Sequence, residues 1–484
     1  MATEALDRIT DISKRRGIVY PSFEIYGGVG GFIDYGPIGS RIKQNVEDLF
    51  RRHYVVADGC FEVQCPTVSP EDVWIASGHV KGFADLLVEC QKCSEGYRAD
   101  KLLSEKGVEA EGKPADAVEA LIAEKGVVCP ECGGRLSKPY SYNLMFGTTV
   151  GTGSRKRTAY LRPETAQTTY LAFRRLWEFA RRKLPFGVIQ IGHSFRNEIS
   201  PRQGMIRLRE FNQAEIQYFM DPDDKKAPRF QEVAGRSVKI TDKDGKAWET
   251  TIGEAHERGI IPIQFIAYQL GKAMGVFEDM GIDGTKLQLR QHREDERAFY
   301  SSDTWDVEYV SGAYGRVELV GIADRTDYDL SQHMKQSRED MNVNIDGRKF
   351  IPHVVEVAYG IDRPIYCILE SCYREEGERA YFSFPRKVAP YIAGVFSLVK
   401  KDGIDGKAEQ VFQSLREKGL YVFLDHAGSI GKRYARTDEV GVPYSITVDY
   451  DSIKDESVTV RSRDDKSQKR VKISDLRPFL TGNP

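Results

Sequence analysis

The chain has 484 residues, enough for about two to four domains. Its composition, 40% hydrophobic and 29% charged, is that of a soluble globular protein, and no apolar run approaches the roughly 18 residues a membrane span needs. With 70 Lys and Arg against 72 Asp and Glu the net charge is −2, so any nucleic-acid contact must come from local patches rather than bulk charge.

The opening stretch, MATEALDRITDISKRRG, has no apolar core like that of a signal peptide. Glu4, Asp7 and Asp11 argue against an organelle-targeting leader, so the expected compartment is the cytoplasm. After the Gly36-Pro37 turn, Ile38, Ile42, Val46, Leu49 and Phe50 recur at helical spacing. Cys90 and Cys93, then Cys129 and Cys132, form two C-x-x-C pairs. Each such knuckle sets two thiolates about 3.5–4 Å apart around one ion, which suits tetrahedral zinc; four ordinary thiols or a redox pair are the alternatives. Gly133-Gly134 fits a knuckle turn. The long spacer 94–128 contains helical text at Ala115 to Lys125, an insertion within the ribbon. Cys60, Cys65, Cys367 and Cys372 read as packing residues, with no sign of disulfides.

Pro163-Glu164-Thr165 opens a run with helical spacing at Tyr170, Phe173, Trp177 and Ala180. Two stretches then alternate with the period of a strand. In Val188 to Phe195, Ile189, Ile191, His193 and Phe195 share one face, with Gln190, Ser194 and Arg196 opposite. In Phe211 to Phe219, Ala214, Ile216 and Tyr218 share one face, with Phe211, Gln213, Glu215 and Gln217 opposite. A sheet with polar and charged groups along one whole face is either a wet ribbon or the lining of a site, because such groups cost energy to bury unpaired.

Residues 221–285 are charged, with a DKDGK turn between strand-like VKIT and AWETTI and a helix near Gln264 to Ala273; they read as an inserted subdomain. Strands resume at Leu287 to Arg290 and Val317 to Ile322. Residues 352–372 read as strand, Gly360, then a helix with Pro364 in its first turn, where proline is tolerated. From about 386 a module of short strands (VAPYIAGVFSLV, YVFLD, VPYSITVD, SVTVRS, RVKIS) surrounds a helix at Lys407 to Lys418. Two basic runs, one of Arg174, Arg175, Arg181, Arg182 and Lys183, the other of Arg461, Arg463, Lys466, Lys469, Arg470 and Lys472, are solvated faces or RNA contacts.

The string FRNEISPRQGMIRLREFNQAEIQYF at 195–219 resembles the second signature motif of class II aminoacyl-tRNA synthetases in its glycyl form. ASGHV at 76–80, LRPETAQ at 161–167, GRVELVGIADRTDYDL at 315–330 and PHVVEVAYGIDR at 352–363 agree, in family order. The resemblance runs from about residue 20 to the C-terminus and is closest to the homodimeric archaeal and eukaryotic branch of the glycyl-tRNA synthetase family. It implies an α/β protein with an α+β catalytic core, an antiparallel sheet flanked by helices. The implied division is core at 1–84 with the dimer-forming first motif, a zinc-ribbon-like insertion at 85–150, core at 151–220, a second insertion at 221–285, core at 286–385, and an anticodon-binding domain at 386–484. The insertions are expected near the acceptor stem, and Tyr391, Tyr434, Tyr444 and Tyr450 are available to unstacked anticodon bases.

The same resemblance implies ATP, glycine and tRNA(Gly) as partners, a homodimer, structural zinc on Cys90, Cys93, Cys129 and Cys132, and magnesium with ATP on Glu318. Arg196, Arg363 and Glu318 are the implied catalytic residues, with Arg196 on the α-phosphate and Arg363 on the γ-phosphate; a guanidinium is always charged and offers paired donors to phosphate oxygens. Asn197, Glu198, Ile206, Arg207, Phe211, Leu319 and Gly360 complete the implied ATP site. Glu198 would take the adenine amino group, Phe211 would stack beneath the ring, and Arg207 rather than Arg209 would reach the triphosphate. Arg98, Glu164, Gln213, Glu215, Glu356 and Ala358 are the implied glycine site. A class II synthetase for another small amino acid and a noncatalytic synthetase-like nucleic-acid-binding subunit are the alternatives. Three positions depart from the glycyl pattern: Ala358 where serine is usual, Thr168 where glycine is frequent, and Phe50 where tryptophan is common. Ala358 removes a hydroxyl beside Glu356, so weaker glycine binding or a water in its place is expected.

Overall fold

The computed structural model describes residues 2–482, apart from 111, 202, 203, 299 and 378. Helix α1 (Ala2–Arg15) and helix α2 (Pro37–Phe50) precede strand β1 (Phe61–Val63). Then follow β2 (Ala84–Glu89), β3 (Gly96–Arg98), helix α3 (Ala115–Glu124), β4 (Tyr140–Asn143), helices α4 (Ala166–Leu171) and α5 (Phe173–Phe179), β5 (Phe186–Phe195) and β6 (Glu210–Met220). The core continues through β7 (Ser237–Thr241), β8 (Ala247–Thr251), α6 (Gln264–Asp279), β9 (Leu287–Gln291), β10 (Asp303–Ser311), β11 (Gly315–Thr326), α7 (Tyr328–Ser337), β12 (His353–Gly360) and α8 (Asp362–Cys372). Nine of these strands form one sheet in the order β8-β7-β9-β10-β11-β12-β6-β5-β1, antiparallel except where β1 joins β5 and β7 joins β9.

The two alternating stretches pair as neighbours, with Gln190 opposite Glu215 and Ser194 opposite Phe211. Their apolar face packs on α2, α6 and α8. Tyr359 of β12 marks the centre: its ring lies 4.7 Å from that of Phe50 and 5.6 Å from that of Phe277, and its hydroxyl meets that of Tyr54 at 2.5 Å. Phe50 thus packs directly on this central ring. On the opposite face Tyr170, Phe173 and Trp177 cover Phe186 and Phe219, so the polar face is not a wet ribbon: every residue of β6 from Asn212 onward is buried. The helical run from Ala166 to Phe179 is broken once, at Ala172.

The structure departs from the sequence expectation in three places. Residues 221–285 are not a separate body: their hairpin lengthens the edge of the main sheet, and α6 shares the central apolar core. The boundary expected at 150 falls inside a small antiparallel sheet, in which Gly147–Val150 pairs with Arg157–Leu161 and the latter with Val68–Pro70. The second basic run is not one exposed patch, since Arg461 and Arg463 are buried; Arg461 makes a two-pronged pair with Asp438 at 2.9 and 3.0 Å.

The C-terminal module has its own apolar core. Strands β13 (Ala393–Ser397), β14 (Val422–Leu424), β15 (Tyr444–Val448), β16 (Ser457–Ser462) and β17 (Gln468–Lys472) lie in the order β14-β13-β15-β16-β17, with helices α9 (Ile404–Glu417) and α10 (Ile430–Glu439). Polar contacts hold it to the rest. Arg15 and Arg16 of the N-terminal region pair with Glu439, Arg379 pairs with Asp438 at 3.0 Å, and the Arg41 guanidinium lies 3.5 Å over the Tyr421 ring. Among the described residues no helix is long and apolar enough to cross a membrane.

Phe50→Ala would leave a cavity against Tyr359 that its rigid neighbours cannot fill, so it should lower stability by about 3–5 kcal/mol, measured as a loss in denaturant unfolding.

Candidate active site

The polar face of β6, β10, β11 and β12 opens into a cleft of about 330 Å³. One end is ringed by arginines, the other by carboxylates.

At the first end Arg196 leaves β5 and donates from Nε to the Pro163 carbonyl at 3.2 Å. Its guanidinium lies between the rings of Phe83 and Phe211, 5.3 Å from each centroid. Arg207 reaches Glu198 at 2.5 and 2.7 Å, while Arg209 is tied to the Gly30 carbonyl at 2.8 Å and does not line the cleft. Arg363 begins α8, where the helix N-terminus adds positive potential. It donates to the Ile206 carbonyl at 3.0 Å and to Glu318 Oε2 at 3.1 Å. Its helix is fixed by Asp362, which accepts from the Asn212 backbone N–H at 2.6 Å and from the Tyr35 hydroxyl at 2.5 Å. Asp306 faces the same space from β10, held by Arg290 at 2.7 Å and His292 at 2.8 Å. Burial raises the Asp306 carboxyl and the nearby Glu318 raises it further; desolvation acts the same way on Glu318, but the Arg363 charge and hydrogen bond together with the Arg196 and His292 charges outweigh it and hold Glu318 low.

At the second end Glu164, Glu215 and Glu356 converge, each nine-tenths buried or more. Thr165 Oγ1 donates to Glu215 Oε2 at 2.6 Å and Gln213 Nε2 to its Oε1 at 2.9 Å. Gln167 donates to Glu164 at 2.9 Å, and His79 stands 3.6 Å from it. Glu356 accepts from Gln217 at 2.9 Å and from Arg325 at 3.1 Å. The Arg325 guanidinium makes a two-pronged pair with Asp329 at 2.7 and 2.9 Å and lies 4.0 Å from the Tyr300 ring centroid. Asp329 and Glu356 thus pair directly with one buried guanidinium, whose charge also reaches Glu164 and Glu215. The surplus negative charge is visible in Glu215: burial, then Glu356 and Glu164, push its carboxyl up to about 8. Burial and Glu164 raise Glu356 as well, against the pull of Arg325. Among the described residues Gln213 Oε1 is buried without a hydrogen-bond partner. Ala358 lines the cleft, opposite Glu215 on one neighbouring strand and Gly321 on the other.

Most residues singled out from the sequence therefore meet in one cleft. Three do not line it. Leu319 packs in the core beneath, Asn197 turns to Tyr142, and Arg98 pairs with Asp85 at 3.0 Å and Asp100 at 2.6 Å. Arg325, Asp329, His79, Thr165 and Asp306 were not singled out. Arg325, Asp329 and His79 lie within strings already noted, ADRTDYDL and ASGHV; a basic and an acidic residue four apart across a strand end was the available signal.

Away from the cleft, the four cysteine sulfurs, Cys90, Cys93, Cys129 and Cys132, all lie within 4.8 Å of one another, and among the described residues this is the cluster able to hold a metal ion. Cys90 and Cys132 are 3.4 Å apart, Cys93 and Cys129 3.7 Å. At Gly134 a Cβ would come 2.8 Å from the Cys90 sulfur and 3.2 Å from that of Cys132, so only glycine permits the closure. Four converging thiols with these spacings fit a closed tetrahedral zinc site.

A family profile described as tRNA synthetase class II core domain (G, H, P, S and T) matches residues 149–235, and one described as anticodon binding domain matches 393–483. A protein of Methanocaldococcus jannaschii named glycine--tRNA ligase is 41% identical over 572 aligned residues, covering 99% of this chain and 99% of its own. Proteins of the same name from Methanothrix thermoacetophila and Methanothermobacter thermautotrophicus are each 39% identical, covering 98% of this chain and 97% and 98% of theirs. Among solved structures, prolyl-tRNA synthetase of Giardia lamblia with prolyl-adenylate matches with a TM-score of 0.60 at 15% identity, over 98% of this chain and 75% of that one. Prolyl-tRNA synthetase of Cryptosporidium parvum with proline and AMP matches with a TM-score of 0.57 at 14% identity, over 99% and 78%. At such identities these two establish the fold, a class II synthetase fold, and no more.

Arg325→Met keeps the bulk but strands Asp329 and Glu356 without a counter-charge. It should cost about 3–5 kcal/mol of stability at neutral pH, read as a lower unfolding midpoint.

Proposed function

The chain belongs to the glycine–tRNA ligase family of class II synthetases, and we propose how its cleft divides the work of that ATP-dependent enzyme. In the first step a glycine carboxylate oxygen attacks the α-phosphorus of ATP and pyrophosphate leaves. In the second the 3′-terminal ribose hydroxyl of tRNA attacks the glycyl carbonyl and AMP leaves. Neither step needs a covalent bond to protein; both need alignment and compensation of developing negative charge. One observation carries the reading: a cluster of arginines and a buried, over-charged set of carboxylates share a single cleft.

In this reading the phosphates lie at the first end. Arg196 grips the α-phosphate and brings the glycine carboxylate beside it, Arg363 takes the γ-phosphate, and Phe211 stacks on adenine. Arg207 moves from Glu198 to the phosphates as Glu198 turns to the adenine amino group. Ile206 and Gly360 complete the wall, and Leu319 acts through its backbone. Magnesium bound with ATP supplies positive charge between phosphate oxygens. Glu318 is the residue to hold it, and Gly321 leaves open space next to both Glu318 and Asp306. The glycine ammonium lies at the second end among Glu164, Glu215 and Glu356, where Gln213 Oε1 offers a further acceptor. Selection against larger amino acids is steric, because the target has no side chain to recognise. The hydroxyl missing at Ala358 leaves weaker glycine binding or a water in its place as the expected outcomes.

Zinc on the four thiolates is structural in this reading, since four protein ligands leave no open position. The C-terminal module reads the anticodon. There Tyr450 is exposed, whereas Tyr391, Tyr434 and Tyr444 are half-buried against Phe423, Arg461 and Phe479, which favours Tyr450 among the four. A homodimer, functioning in the cytoplasm, is supported by Phe23, Ile25 and Tyr26, large apolar side chains left exposed ahead of α2. On its buried side α2 packs within its own chain, so its periodicity alone is no argument for a partner.

ATP–pyrophosphate exchange across the twenty amino acids should show glycine dominant, and Arg196→Ala should abolish it; dominant alanine activation would refute the glycine assignment. Glycine binding should also strengthen as pH rises from about 6.5 to 8. The Glu215 carboxyl, pushed up to about 8, holds a proton at neutral pH that the arriving ammonium must displace, giving up to about a tenfold effect per pH unit. Calorimetry in buffers of different ionisation enthalpy reads the released proton, and Glu215→Gln should remove it. The same raised carboxyl favours the fold below the unfolded range near 4.3, and that contribution is lost as pH climbs through 8.

A further inference from the structure

Arg196 is followed by a segment, Asn197 to Ser200, that carries Glu198 into the cleft yet is scarcely held by the main sheet. Arg209 donates to the Glu198 carbonyl at 3.2 Å and Arg207 to the Glu198 carboxylate at 2.7 Å; the other anchors come from the cysteine-bearing insertion. The Asn197 backbone N–H donates to the Leu144 carbonyl at 2.7 Å and its side-chain amide to the Tyr142 hydroxyl at 2.5 Å. Ile199 is buried with Leu87 and Leu144. Ser200 donates from its hydroxyl to the Gly96 carbonyl. Phe83, one residue before β2, supplies one of the two rings flanking the Arg196 guanidinium. Ser200 also sits at φ 46, a left-handed conformation that a non-glycine residue keeps only when its surroundings impose it.

The same three strands, β2, β3 and β4, lead straight to the thiolates. β2 ends at Glu89, the residue before Cys90, and Cys90 bridges to Leu136 on the way to β4. Between Gly96, which holds Ser200, and Arg98 lies Tyr97, whose hydroxyl is 3.3 Å from the Cys129 sulfur. Asp85, on β2, is close enough for Glu198 and Arg207 to affect its titration. Closure of the thiolate cage and placement of the Asn197–Ser200 segment are therefore two ends of one small sheet.

We propose that the four-cysteine module is a positioning device for the nucleotide end of the cleft, with Tyr142 and Ser200 as its positioning residues, so that zinc occupancy sets ATP affinity. The inference rests on the reading of the cleft as an ATP and glycine site. It assigns the metal an effect on the first chemical step, beyond any contact the module makes with tRNA.

The test is equilibrium binding of ATP and, separately, of glycine to the full chain, zinc-loaded and after chelation, with hydrogen exchange over residues 196–200. Removing zinc should weaken ATP about tenfold or more and speed exchange in that segment, while glycine affinity changes less than about twofold. Tyr142→Phe and Ser200→Ala, each removing one hydrogen bond while the zinc stays bound, should each raise KM for ATP about fivefold with kcat nearly unchanged, and Ser200→Thr should restore it. These variants keep the question open to a negative answer even if the stripped module unfolds. Unchanged ATP affinity in the metal-free protein, or parallel losses of ATP and glycine affinity in the two variants, would overturn the inference. Failure of the unmodified zinc-loaded chain to bind ATP would instead bring down the underlying reading of the cleft, and this inference with it.

Discussion

One buried guanidinium, paired with two of four neighbouring acids, sets the terms for everything around it. Arg325, Asp329 and Glu356 are all buried, and the guanidinium is the direct counter-charge to both acids. Asp329 takes two of its prongs, against its burial the His79 and Arg325 charges hold Glu164 low, and burial with the Glu356 and Glu164 charges pushes the Glu215 carboxyl up to about 8. In the proposed reading a small ammonium adds positive charge to this acid-rich end, which would serve as recognition for a ligand with nothing else to offer.

Strand register keeps this deficit apart from the arginines. Glu215 and Gln213 lie two residues apart on one face of β6, with Phe211 two further on towards the nucleotide end, and Glu356 and Ala358 run alongside on β12. Moving along one face of a pleated sheet therefore moves from the buried carboxylates to the arginine end. Asp362 locks β6 to the start of α8, so Arg363 cannot drift relative to this row. A slip of one residue in either strand would turn the charged face into the apolar core.

How much of this could be read from the sequence follows the range of the forces involved. The alternation in 188–195 and 211–219 assigned both faces correctly, because a period of two is a local property. The C-x-x-C pairs likewise announced their convergence. Residues 221–285 misled, because a charged hairpin at a sheet edge and a charged hairpin on its own have the same text; only the pairing of β7 with β9 separates them. Arg461 and Arg463 looked like surface charge because nothing nearby in sequence reveals that Asp438 and the Gly441 carbonyl await them. Arg325 left a local trace in Asp329 four residues on, but its second partner Glu356 lies on another strand. Long-range pairing of buried charge leaves almost no local trace.

The clasp between the N-terminal arginines and Glu439, beside Asp438 with its hold on both Arg379 and Arg461, makes the two ends of the chain meet at one acidic corner. The partly exposed pairs of Arg15 and Arg16 with Glu439 are screened by dissolved ions, whereas the buried pairs of Asp438 are screened much less. The separation between the C-terminal module and the cleft is thus spanned by a caliper whose screw is electrostatic. In concentrated brine the jaws would slacken while the chemistry at each tip stayed intact, and the first capability lost would be measuring a long substrate from end to end.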